Sequence, residues 1–184
     1  FEQNLDLFIP IQLNSIFNHY NKEIQYVIDN DVDSNIEIEQ LNNPIGKQDQ
    51  YASAFGGVNY IKFFSDGSVS IESILIDEFK IKDLLNNLVF IHLNQPHQSS
   101  IILKDVNKNI KSNSDAMVEL KSLTIDFYEQ IKKGNLSGYK DILKESWKLK
   151  KQTSSMVSSS YIDDIYNKAI SLGAEAGKVL GAGG

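Results

Sequence analysis

The stretch NPIGKQDQY (residues 43–51) is the most informative part of the sequence, because it joins a break in regular structure to closely spaced polar side chains. Pro44 disfavours helical backbone at the residue before it, so a preceding element ends here. Lys47 and Asp49 beside Gly46 suit a loop or a helix start, where the lysine can hold phosphate and the carboxylate can accept or orient a hydroxyl proton. Spacing alone favours the commoner alternative, a solvated helix face.

A second informative stretch is the glycine-rich GAEAGKVLGAGG at 173–184. Clustered glycines allow backbone N–H groups to approach an anion closely and form a nest. The same glycines also fit a helix C-cap followed by a turn, and both interpretations stay open. Because a glycine-rich turn normally leads into another element, and the sequence opens without Met, we expect a piece of a longer chain. The first glycine is Gly46, so residues 1–45 contain no glycine-rich phosphate loop.

The hydrophobic pattern predicts strands in the first half of the chain. Residues 58–64 and 69–74 are predicted to form two strands joined by the turn SDGS at 65–68, in which Gly67 can take a positive φ. Further apolar runs predict strands at 7–11, with Pro10 near a sheet edge, and at 88–93, with His92 as a structural residue.

Apolar residues at helical spacing predict helices over 14–29, 115–133, 137–151 and 161–172. Residues 35–41 fit a strand or a helix end, and helix is favoured. Trp147 shares a stripe with Leu143 and is expected in the core rather than as a stacking platform. The serines between 154 and 160 are interpreted as a linker. Strands with separate long helices predict an α+β fold.

Composition excludes several classes of protein. The 24 acidic and 18 basic residues give a net charge of −6, which argues against nucleic-acid binding. There is no cysteine, so disulfides and zinc–thiolate sites are excluded, and no arginine, so anions must be bound by lysines and backbone amides. No apolar run reaches the ~18 residues of a membrane helix. A soluble protein of the cytoplasm is therefore expected, and the oligomeric state stays open.

Together, these segments resemble the GHMP kinases, in particular their branch of heptose phosphate kinases. The resemblance covers about residues 36–184. It rests on NPIGKQDQY (43–51), AFGG with NYI (54–61), ESWKLKK (145–151), and the segment from Ile162 through GKVLGAGG (177–184). It implies an incomplete two-lobe GHMP kinase-like fold: residues 1–87 form the end of the N-terminal lobe, with 1–35 poorly matched, and 88–184 form a truncated C-terminal lobe.

The resemblance also implies roles for single residues. Asp49 would be the catalytic base, or would orient the attacking hydroxyl group, and Lys47 and Gln50 would line the sugar site. The last glycine motif would lie near the nucleotide phosphates, through Gly181, Ala182, Gly183 and Gly184. The implied cofactors are ATP and Mg²⁺, and no metal-ligating protein residue is assigned.

Three departures from the family pattern limit these expectations. The family's Pro-x-x-x-Gly-Leu-Gly-Ser-Ser phosphate loop does not precede Gly46. The family's Thr-Gly-x-x-Arg segment corresponds to NQPHQSS (94–100), in which His97 is a candidate substrate contact but is more often merely exposed. The last motif stops at Gly184. We therefore expect the 184 residues alone to bind ATP poorly and not to be a competent kinase.

The function implied by the resemblance is ATP-dependent phosphorylation of a sugar or a sugar phosphate, feeding nucleotide-sugar and surface-glycan synthesis. Two alternatives remain. One is a non-catalytic GHMP-like protein that binds a sugar or a partner without the ATP phosphate loop. The other is a kinase for a different small alcohol, although the Lys-Gln-Asp-Gln segment at 47–50 favours a sugar over mevalonate or homoserine.

Overall fold

A computed structural model describes residues 5–12, 46–94 and 99–184. It divides into two compact units, Phe1–Ile76 and Asp77–Gly184, each of which is described by itself. The predicted helices at 14–29 and 35–41 lie outside the described residues, and the lobe boundary expected after residue 87 stays a prediction. In the described part of the chain, none of the helices combines the length and the apolar character needed to cross a membrane.

The first unit contains a three-stranded antiparallel sheet in the order β1-β2-β3. The strands are β1 (Leu5–Gln12), β2 (Gly57–Phe63) and β3 (Val69–Ser73). The register between β1 and β2 is irregular between Ile9 and Gln12. This segment contains Pro10, which has no backbone N–H to donate to a ladder. The strand predicted at 7–11 is therefore confirmed.

The predicted hairpin between β2 and β3 is also confirmed. Phe63 pairs with Val69, and Ile61 pairs with Ile71. Within the turn, Gly67 adopts φ +85°, a conformation that glycine tolerates without strain. The Asp66 carboxylate accepts hydrogen bonds from the backbone N–H and the hydroxyl of Ser68, at 2.9 and 2.6 Å. These bonds stabilise the turn that the sequence specifies.

The described residues of the second unit form five helices. These are α2 (Glu78–Asn86), α3 (Ser99–Asn109), α4 (Ser114–Lys132), α5 (Tyr139–Thr153) and α6 (Ser160–Ser171); α1 belongs to the first unit and is described below. The helices predicted over 115–133, 137–151 and 161–172 are confirmed, whereas the sequence analysis did not predict α2 and α3. The α+β class is confirmed.

The core of the second unit lies around Trp147, which is 2% exposed. The buried cluster is formed by Ile102, Trp147, Val157 and Ile162, with Val179 and Ala182 packed against it. The prediction that Trp147 belongs to the core is confirmed. On α4, the predicted stripe is fully buried at one end only, at Phe127, Tyr128 and Ile131.

The strand predicted at 88–93 is wrong. Residues 88–94 have no regular secondary structure, and Val89 and Phe90 are 84% and 75% exposed. The C-terminal turn of α2 uses the N–H of Leu88, which donates to the Leu85 carbonyl oxygen at 3.1 Å. Moreover, the described residues of this unit include no strand that could pair with the segment, and an unpaired strand leaves its backbone groups unsatisfied. His92 is consequently exposed instead of structural.

Candidate functional site

The first group of predicted site residues lies at the start of a helix. Helix α1 spans Gln48–Phe55, with Lys47 at its N-cap position and Asp49 in its first turn. Asp49 is exposed, whereas Lys47 and Gln50 are half-buried. An exposed carboxylate at the start of a helix is accessible to the hydroxyl group of a substrate. The structure thus brings these three side chains to one helix end, and their roles stay predictions.

Helix α1 packs against the sheet. Ala52 is buried, and the Tyr51 ring meets the Phe63 ring edge to face, with 5.8 Å between centroids. At the C-terminal end, Gly56 (φ +59°) and Gly57 (φ +67°) turn the chain directly into β2. Two successive positive φ values are readily adopted only by glycine. The Gly-Gly pair therefore sets the direction of α1 relative to the sheet.

Asn59 is a positioning residue whose contacts the sequence analysis did not predict. Its side chain is 3% exposed, and its amide donates to the Gly56 carbonyl oxygen at 2.6 Å. Its own oxygen accepts a 2.8 Å hydrogen bond from the Ser73 hydroxyl on β3. Asn59 thereby joins the turn after α1 to the sheet. The sequence signal for these contacts was an amide side chain in a predicted strand, two residues after the Gly-Gly pair. A polar side chain that is buried in a strand needs hydrogen-bond partners.

The second group of predicted site residues forms the glycine loop, defined here as residues 177–184. Gly183 is buried with φ +96°, and a β-carbon there would collide with the Val157 carbonyl oxygen. The backbone N–H of Gly184 donates to the same oxygen at 2.9 Å. Val179 and Ala182 pack against the hydrophobic core. The loop is therefore held on one side by the core of its unit.

The glycine loop also contains unused backbone donors. In the described part of the chain, the N–H groups of residues 180–183 reach no protein acceptor. Gly181 and Gly183 have φ values of +65° and +96°, whereas Leu180 and Ala182 are not among the residues with positive φ. Alternation of this kind directs successive N–H groups into a concave nest for an anion. These N–H groups are therefore not used by the described residues, and their contact with a phosphate oxygen stays a prediction.

Two half-buried lysines accompany the glycine loop. The Lys150 ammonium donates to the Val179 carbonyl oxygen at 3.3 Å and to the carbonyl oxygen of Gly181. Burial, and then the positive charge of Lys178, lower the pKa of Lys150 to about 8. Burial also lowers the pKa of Lys178. The loop thus lies in a locally positive environment although the chain is acidic overall.

The serine-rich linker has a defined structural role in this unit. Ser154 is buried, its hydroxyl bonds to the Asp105 carboxylate, and it also accepts from the N–H of Met156 at 3.0 Å. Ser159 is the N-cap of α6. These bonds fix residues 154–159, including Val157, on which the glycine loop rests.

Other candidate features contribute less. His97 lies outside the described residues. Among the residues that the structure describes, no group of three or more His, Cys, Asp or Glu side chains is arranged to hold a metal ion.

Comparison with known proteins shows that the chain is similar to two kinases. No family model matches it. It is 31% identical over 154 residues to the D-glycero-alpha-D-manno-heptose 7-phosphate kinase of Campylobacter jejuni, across 80% of this chain and 44% of that protein. Its structure resembles the crystal structure of a D-glycero-D-manno-heptose 1-phosphate kinase from Bacteroides thetaiotaomicron, with a TM-score of 0.59 and 29% identity. That match covers 81% of this chain and 40% of the other.

The chain therefore spans less than half the length of either similar protein. Within that span, the similarity extends to both sequence and fold. It confirms the predicted resemblance of this chain to heptose phosphate kinases.

Proposed function

We propose that this chain serves an ATP-dependent kinase of the GHMP type that phosphorylates a sugar or a sugar phosphate. The observation that carries the proposal is the 31% identity to a heptose 7-phosphate kinase, which extends over 154 residues and both units. The nest of backbone N–H groups in the glycine loop supports it, because phosphoryl transfer requires donors that neutralise phosphate charge. Surface-glycan synthesis is the pathway class that would use such a product.

In the proposed reaction, a sugar hydroxyl oxygen attacks the γ-phosphorus of ATP, and the bond from that phosphorus to ADP breaks. Asp49 accepts the hydroxyl proton, while Lys47 and Gln50 hold the sugar beside it. Asp49 suits this role because its carboxylate is exposed on a helix that the sheet holds in place. Phosphoryl transfer needs mainly positioning and charge neutralisation, so one carboxylate and a set of fixed donors suffice.

The glycine loop is the proposed nucleotide contact, through Gly181, Ala182, Gly183 and Gly184. Gly181, Ala182 and Gly183 would contribute their backbone N–H groups, whereas the N–H of Gly184 is held by the Val157 carbonyl oxygen. Lys150 and Lys178 would add positive charge nearby. Mg²⁺ would arrive with the nucleotide, because magnesium is commonly held by phosphate oxygens with few protein ligands. The cytoplasm, where ATP is available, is the proposed location.

The experiment is a kinase assay of the full-length protein with MgATP, in which ³¹P NMR identifies the product. The two named kinases suggest two substrates for separate samples, heptose 7-phosphate and heptose 1-phosphate. Mevalonate and homoserine serve as controls of a different substrate class. The proposal expects ADP and a new phosphate ester with at least one heptose phosphate and none with the controls.

Two results would contradict the proposal. Turnover of mevalonate or homoserine instead of the heptose phosphates would assign a different alcohol kinase. Sugar binding without ADP formation in any sample would assign the non-catalytic sugar-binding alternative.

A further inference from the structure

Lys150 makes contacts with the glycine loop that go beyond a general positive charge. It lies near the C-terminal end of α5, and its ammonium binds two carbonyl oxygens, those of Val179 and Gly181. These two residues are two apart in the loop, so one side chain holds two nearby peptide groups of its backbone. Its neighbour Lys148 instead faces solvent and pairs with Glu145 at 2.8 Å.

Peptide geometry gives these contacts a consequence for the opposite side of the loop. In a planar trans peptide, the C=O of one residue and the N–H of the next point in opposite directions. Because the Val179 and Gly181 carbonyls point towards Lys150, the N–H groups of Leu180 and Ala182 point away from it. Neither of these two donors meets an acceptor in the described part of the chain.

We propose that Lys150 is a positioning residue for phosphate binding: it holds the carbonyls of Val179 and Gly181 on one side of the loop and thereby presents the N–H groups of Leu180 and Ala182 to a phosphate on the other. The proposal rests on the proposed function, in which this loop contacts the nucleotide. It assigns Lys150 no contact with the substrate. Lys150 instead acts through the two peptide groups that it binds.

The same contacts strengthen the two donors. A cation at a carbonyl oxygen polarises the whole peptide group, so its N–H becomes a better hydrogen-bond donor. Burial lowers the pKa of Lys150, which agrees with an ammonium confined beside the two carbonyl oxygens. An apolar side chain of the same length would fill the space and provide neither effect.

The experiment uses ¹H–¹⁵N NMR of the wild-type chain and three variants, titrated with inorganic tripolyphosphate. Lys150→Met removes the ammonium and keeps the length of the side chain, whereas Lys150→Arg keeps a cationic donor. Lys148→Met is the matched control on the same helix. We expect the amide signals of Leu180 and Ala182 to shift with tripolyphosphate in wild type, Lys150→Arg and Lys148→Met, and to respond at least several-fold less in Lys150→Met.

A ligand-free measurement separates this inference from the proposed function. Loss of a hydrogen bond to a carbonyl oxygen changes the ¹⁵N chemical shift of the following amide. Lys150→Met should therefore shift the amide signals of Leu180 and Ala182 before any phosphate is added. Unchanged ligand-free shifts, or a wild-type response to tripolyphosphate in Lys150→Met, would overturn the role of Lys150. Changed ligand-free shifts with no response to tripolyphosphate in wild type would instead contradict the phosphate contact of the loop, and with it this use of Lys150.

Folding of the variants need not limit the test. In wild type, a hydrogen-bond scalar coupling between Lys150 Nζ and the Gly181 carbonyl carbon reports the central contact without any substitution. Detection of this coupling supports the inference. Its absence under conditions where other lysine ammonium couplings are visible would overturn it.

Discussion

The backbone N–H of Gly184 donates a 2.9 Å hydrogen bond to the carbonyl oxygen of Val157. This bond brings the glycine loop so close to residue 157 that Gly183 has no room for a side chain. The loop is thus a structural part of the second unit, and the N–H groups of residues 180–183 in it have no acceptor among the described residues. The contact with Val157 gives the glycine stretch a structural role, and its use as an anion nest stays a prediction.

Gly183→Ala should destabilise the protein more than Gly181→Ala. Both residues have positive φ, which costs a residue with a β-carbon about 1–2 kcal/mol. At Gly183 the new β-carbon also collides with the Val157 backbone, which adds about 1–3 kcal/mol of overpacking, whereas at Gly181 no atom lies within 4 Å. Urea unfolding followed by circular dichroism measures the difference. Equal losses would show that Gly183 does not approach Val157.

The specific local patterns were predictable from the sequence. The turn at 65–68 and the apolar stripes of α4 to α6 are short-range signals, and the structure confirms them. The segment at 88–93 shows the limit of this approach. Its apolar run is typical of a strand, but a strand also requires a partner, and the sequence of one segment does not specify its partner.

The candidate site was predictable in its residue types but not in its supporting contacts. Asp49 and the glycines stood out because their motifs are local. Lys150 and Asn59 did not, because their roles depend on carbonyl groups brought close by folding. The contact between Gly183 and Val157 joins residues 26 positions apart, and hydrophobic periodicity contains no information about it.

Asn59→Ala should lower the free energy of unfolding of the first unit by about 1–3 kcal/mol, because the Gly56 carbonyl and the Ser73 hydroxyl lose a buried partner. Ser70→Ala, at an exposed position on β3, is the control and should change stability by less than about 0.5 kcal/mol. Denaturant unfolding of both variants provides the measurement. A loss for Asn59→Ala as small as that of the control would contradict its role in fixing the turn after α1.

Stability should rise with pH above about 8 because of Lys150. Its folded-state pKa of about 8 lies below the ordinary lysine value of 10.5, so between these values the unfolded chain keeps the proton that the folded chain has lost. The unfolded state then binds more protons, and the free energy of unfolding increases with pH, by up to about 3 kcal/mol. Lys150→Met should lack this increase. Parallel stability profiles for wild type and Lys150→Met from pH 7 to 10 would contradict the assignment.

The 184 residues alone should bind MgATP no more tightly than about 1 mM, equivalent to about 4 kcal/mol. The glycine loop supplies a few N–H donors, but residues 1–45 contain no glycine and the chain contains no arginine. Tighter binding of ATP would require the additional N–H donors of a phosphate loop at a helix N-terminus. Isothermal titration calorimetry tests this expectation. Micromolar binding, or sugar phosphorylation by these residues alone, would show that the nucleotide site is complete within them.

The most direct test of the account is the turnover of Asp49→Asn in the full-length protein. The substitution keeps the shape of the side chain and removes the carboxylate that is proposed to accept the hydroxyl proton. Asp66→Asn, in the exposed hairpin turn of the same unit, is the control. Heptose phosphate phosphorylation should fall about 10²–10⁴-fold in kcat for Asp49→Asn, with little change in the dissociation constant of the sugar measured by calorimetry. A kcat for Asp49→Asn close to that of wild type and of Asp66→Asn would contradict the assignment of Asp49 as the catalytic base.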